Sequence, residues 1–113
     1  MNTEQKPSEI ELTADYLVKC LRGTWYDPND GRVPDLETVA AYWTDGYDSR
    51  DQWEAVADLG PSEWDMDVLR VALRKMGISG MRGTEEETLT ALAEMVKDIA
   101  KDRVAREHER VRA

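Results

Sequence analysis

The sequence has no phenylalanine, a single cysteine, a single histidine and only four prolines. A lone thiol, Cys20, cannot close an internal disulfide, which fits a reducing compartment and a cytoplasmic protein. One cysteine and one histidine cannot supply the Cys/His ligand sets of structural zinc sites. His108 sits in a charged tail with no nucleophile beside it, and Cys20 reads as a small residue at the margin of a core rather than as a nucleophile. No apolar run approaches the roughly 20 residues that span a bilayer, and the opening "MNTEQKPSE" lacks the apolar stretch of a signal peptide. There is no glycine-rich phosphate loop and no H-E-x-x-H. These absences point away from an enzyme and from any cofactor or metal. Cations are scarce too: 15 Lys and Arg face 24 Asp and Glu, for a net charge of −9 and a pI near 4.6. A general DNA binder needs the opposite balance, because phosphate contacts require surplus Lys and Arg.

What is present is enough for one domain. Hydrophobic residues make up 41% of the 113, which is sufficient for a core. Residues 1–7 read as a loose, polar start. Ser8 with Glu11 forms a capping box, and Ile10, Ala14, Leu17, Val18 and Leu21 then follow helical spacing to a stop at Gly23. Trp25, Tyr26 and Val33 favour extended backbone around a Pro-Asn-Asp-Gly turn, so at most one short hairpin is expected near 24–33. Asp35 caps a second helix carrying Leu36, Val39, Ala40 and Trp43. Ser49 with Gln52 opens a short third helix with Trp53, Val56 and Ala57 inward. Ser62 caps a fourth helix over 63–76, and its wide apolar stripe predicts a central, largely buried element. Gly77 stops it. Thr84 with Glu87 opens the last helix through Leu89, Leu92, Ala93, Val96 and Ile99. Beyond Ala100 the pattern gives way to a mixed-charge extension over 101–113. The expected fold is all-α, with about five helices in a single domain over 8–100. All eight aromatics fall between Tyr16 and Trp64, so the aromatic part of the core is expected in the first half. The four tryptophans are most simply read as core.

The loop "DPNDGRVPDLE", residues 27–37, resembles the calcium loops of EF-hand and dockerin proteins. Gly31, Val33 and Glu37 hold the glycine, aliphatic and terminal-carboxylate places. One residue is missing between Asn29 and Asp30, which displaces Asp27 and Asn29 from the first half of the cage. The preferred reading is a turn leading into a capped helix, with weak calcium binding by Asp27, Asp30 and Glu37 as its metal alternative.

Charge is distributed unevenly. From Asp27 to Asp67, 12 carboxylates face Arg32 and Arg50 alone, a local charge of −10 against −9 overall, so the rest sums to +1. From Val68 to Thr84 the sign reverses: Arg70, Arg74, Lys75 and Arg82 stand without an acid. Residues 64–96, with Leu69, Leu73, Gly77-Ile78, Gly83-Thr84, Leu89 and Leu92, resemble the helix–extended–helix modules of the SAP and Rho N-terminal families. The resemblance implies nucleic-acid contact by Arg70, Arg74, Lys75 and Arg82. Those modules usually carry lysine after Gly-Thr, whereas this chain has Glu85-Glu86-Glu87, which complement the helix dipole and repel phosphate.

In size, acidity and helicity the chain is similar in class to phage-encoded anti-restriction and anti-CRISPR proteins that mimic DNA. The preferred function is therefore a non-enzymatic protein that binds a protein partner, in its sharper form an inhibitor that covers a basic nucleic-acid-binding surface. The expected contact face is Asp45, Asp48, Asp51, Glu54, Asp58, Glu63, Asp65 and Asp67, with Tyr47, Trp53 and Trp64 as aromatic anchors. The nucleic-acid module using the basic segment is the alternative.

Overall fold

A computed structural model describes residues 8–22, 27 and 29–112, with side chains as far as Glu107. Five helices follow in order: α1 (Glu9–Leu21), α2 (Leu36–Asp45), α3 (Arg50–Leu59), α4 (Glu63–Met76) and α5 (Glu85–Arg112). Among the described residues no strand forms, and the all-α expectation holds. Of the expected hairpin, the described residues show an antiparallel bridge between Asp27 and Arg32. Its turn is closed by the Asp27 carboxylate, which accepts from the Asn29 amide at 3.0 Å. Trp25, Tyr26 and the stop at Gly23 lie outside the described residues.

The capping residues explain why the helices begin where they do. Ser8 accepts from the Glu11 amide, Asp35 from Thr38, Ser49 from Gln52, Ser62 from Asp65 and Thr84 from Glu87, at 2.8–3.2 Å. Each satisfies an amide that the helix itself leaves without an acceptor. The box is reciprocal at Ser62–Asp65 and at Thr84–Glu87. At Ser49 the return differs from expectation, because the Gln52 side chain accepts from Asp48 instead. Gly77 ends α4 with φ +74°, the left-handed conformation that glycine adopts without a side-chain clash. Ile78 then donates back to the Leu73 carbonyl at 2.9 Å and buries its side chain beneath the turn.

The helices pack α1 on α4, with α2, α3 and α4 all against α5. The last helix is therefore the shared wall, a role the width of its stripe had suggested for α4. Leu89, Leu92, Val96 and Ala100 recur at helical spacing along α5 and are all buried. Among the described residues the largest fully enclosed side chains are Leu21, Leu36, Val39, Val68, Leu69, Leu73, Leu92 and Val96, with Thr44 and Thr88. Of the aromatics expected in the core, Tyr47 belongs to it and Trp43 and Trp53 pack against it. Trp43 and Trp53 are partly buried and Trp64 is exposed. Aliphatic side chains fill narrow spaces between helices, while indole and phenol rings carry a polar atom that must reach a partner.

The mixed-charge extension continues α5 without a break to Arg112. Arg103, within it, pairs with Asp45 and lies 5.8 Å from the ring centre of Trp53. That contact fastens the extension to both α2 and α3. No helix among the described residues is long and apolar enough to cross a membrane.

Candidate functional site

The acidic stretch splits into parts with different surroundings. On α3, Asp51, Glu54 and Asp58 are exposed, while Trp53, Val56 and Ala57 turn toward the core. Spacings of three and four residues place the three carboxylates on one outward face. Asp48 is exposed just before that helix. Glu63 and Asp67, one turn apart on α4, are exposed as well. Arg50, at the start of α3, pairs with Glu54 at 3.3 Å.

Two further residues of the expected face are engaged within the molecule. Asp45 is held by Arg103. Asp65 turns inward, where its Oδ2 accepts from the Tyr47 hydroxyl at 2.7 Å and from the Ser62 amide at 3.3 Å. Tyr47, expected as an exposed anchor, is only 8% accessible. Its hydroxyl also accepts from the Trp43 indole at 2.9 Å, and the two rings meet edge to face. Burial, and then the Asp65 carboxylate, hold the Tyr47 phenol far above its ordinary pKa, so it stays a proton donor. Asp65 is thus a fastener between the α2–α3 link and the start of α4. Of the three expected anchors, Trp53 lies half-buried under Arg103 and Trp64 alone is well exposed.

The basic segment is drawn into internal ion pairs. Arg74 meets Glu85 through two hydrogen bonds, at 2.6 and 2.7 Å. Arg70 reaches Glu86 at 3.3 Å and Glu85 at 3.9 Å, and Lys75 reaches Asp15 at 3.0 Å. Glu85 and Glu86, which follow Gly-Thr, therefore occupy two of the four cations assigned to phosphate by the resemblance, Arg70 and Arg74. Arg82 remains exposed. The crossover also differs from an extended one: Met81 donates to Ile78 and Gly83 to Gly80, making successive turns.

Two carboxyl groups titrate below their usual range. Glu85 is lowered by hydrogen bonding to Arg74, and Asp35 by hydrogen bonds from Thr38 at the α2 cap. A carboxyl group whose pKa falls on folding stabilises the fold above its unfolded value, and that stabilisation is lost as pH drops through the folded one. Thermal melts followed by circular dichroism should therefore stay level from neutral pH to about pH 5 and decline below about pH 4. Asp35→Asn with Glu85→Gln should make that decline shallower. An unchanged acid limb in the double variant would refute these assignments.

In the 27–37 loop, Asp27 is engaged by Asn29, and Asp30 lies 3.6 Å from Arg32. Among the described residues no three His, Cys, Asp or Glu side chains gather as a metal-binding group. The His108 side chain lies outside the described residues.

One feature escaped the sequence-based expectations. A groove of about 320 Å³ opens between α1, α2, the α2–α3 link and the start of α4. Its walls include Tyr16, Cys20, Tyr42, Trp43, Trp64 and Asp65. Tyr16 and Tyr42 flank the thiol, and hydrogen bonding to Cys20 raises both phenols above their ordinary pKa. The signal was present in the spacing: Thr13, Tyr16, Leu17 and Cys20 recur at three- and four-residue intervals and share one face of α1. No protein-family model, no curated protein and no solved structure matches the chain.

Proposed function

We propose that the chain is a non-enzymatic protein-binding protein whose outward α3 carboxylates dock on a basic surface of a partner, one that otherwise receives nucleic acid. The observation that carries this reading is the helical row Asp51, Glu54 and Asp58, exposed, with Asp48, Glu63 and Asp67 also exposed in neighbouring segments. A rigid helix fixes the carboxylate spacing in advance, so little ordering is needed when a basic surface approaches. Charge complementarity of this kind speeds association and selects the partner more than it adds raw affinity. The ion pairs of Arg70, Arg74 and Lys75 support this reading over the nucleic-acid alternative, because phosphate would have to displace Glu85, Glu86 and Asp15.

The test is capture from a cell extract on the immobilised protein, beside the variant Asp51→Asn/Glu54→Gln/Asp58→Asn. A partner retained by the native chain should be lost by the variant. It should also be released by duplex DNA or RNA, and by salt at about 0.5 M, where screening is nearly complete within a few ångströms. Retention that is equal on both columns, or that ignores salt and nucleic acid, would overturn the reading.

A further inference from the structure

Six aromatic side chains are described, and their placement is not random. Trp43, Tyr47 and Trp53 are buried or partly so. The three exposed ones, Tyr16 at 69%, Tyr42 at 38% and Trp64 at 44%, all line the groove between α1, α2 and α4. Isolated exposed hydrophobic residues are ordinary, but three rings converging on one cleft mark a binding surface. The lining contains no lysine or arginine and includes one carboxylate, Asp65. Oδ2 of Asp65 takes the Tyr47 and Ser62 hydrogen bonds. Its other oxygen receives none from a described residue.

We infer that this groove receives an arginine side chain of a basic partner segment, the guanidinium lying against Tyr16, Tyr42 or Trp64 and facing Asp65. Aromatic faces attract cations electrostatically, and a planar guanidinium stacks on them as an ammonium cannot. The protein already contains the same arrangement once: Arg103 lies over Trp53 and pairs with Asp45. Gln52, which lines the groove, directly follows Asp51 of the acidic row, so one basic segment could engage both. The inference rests on the proposed function for the nature of the partner, but the groove can be tested alone.

The probes are N-acetyl-arginine amide and N-acetyl-lysine amide, titrated into the labelled protein and followed by NMR. The arginine probe should shift the Trp64 indole N–H and the Tyr16 and Tyr42 amides saturably, and the lysine probe should bind more weakly. Trp64→Ala should weaken binding by roughly three- to thirtyfold, as should Tyr16→Ala. Both positions are exposed, so the fold survives either change. Identical shifts in Trp64→Ala, equal binding of the two probes, or shifts that follow protein concentration without probe would each overturn the inference, the last by assigning the groove to a second copy. The α3-neutralised variant separates the two proposals. It should titrate like the native chain. If the native titration fails while that variant still loses the captured partner, the groove inference falls and the proposed function stands. If the titration succeeds while that variant keeps the partner, the reverse holds.

Discussion

Replacing Leu73 with alanine should lower the free energy of unfolding by about 2–5 kcal/mol, the range for a fully enclosed leucine whose cavity does not collapse. Leu73 is completely buried on α4, the helix that packs against both α1 and α5. Its neighbours Leu69 and Ala72 are equally enclosed, so little can move in to fill the space. Domains of this size have about 5–15 kcal/mol in total. The variant should therefore melt roughly 10–20 °C lower, and the least stable outcome is a chain unfolded at growth temperature. Leu73→Met, which keeps the volume, should cost under about 1.5 kcal/mol and serves as the control. Urea unfolding followed by circular dichroism reads both. A loss below about 1 kcal/mol for the alanine variant would mean that the α4 stripe is not gripped as described.

The second large effect should come from Asp65→Ala, at about 2–3 kcal/mol. Part of this is the return half of the α4 capping box, since the Asp65 carboxylate accepts from Ser62. The larger part is the Tyr47 hydroxyl, buried and left without its acceptor. Tyr47→Phe removes the same bond from the other side and also leaves the Trp43 indole N–H without its acceptor. The two variants share an interaction, so their effects should fall short of adding. A double-mutant cycle should give a coupling of about 1–2 kcal/mol. Additivity within about 0.5 kcal/mol would show that Asp65 acts through the helix cap alone.

The five helices were legible because each begins at Ser, Thr or Asp and carries apolar residues at helical spacing. Those are local properties, fixed within a few residues of chain. The role of α5 was not legible: periodicity reports how wide a stripe is, not how many neighbours it meets. Asp65 shows the same limit at the site. Its place in an acidic run suggested an exposed charge. Its actual surroundings depend on Tyr47, 18 residues earlier, a distance no local pattern reaches. The fate of Arg70 and Arg74 was half visible. Glu85 and Glu86 stood out as wrong for a phosphate site, but that they would fold back onto those arginines required the crossover geometry. The groove was missed because an exposed ring and a core ring look alike on a helical wheel.

The packing of α2 and α3 has a consequence in time. Both find their principal helical neighbour in α5, which is synthesised after them. While α1 and α4 can meet as soon as α4 has emerged, the apolar sides of α2 and α3 await α5. Segments in that condition are where nascent chains recruit chaperones or associate wrongly. Synthesis of the first four helices therefore leaves the core unfinished, and α5 completes it.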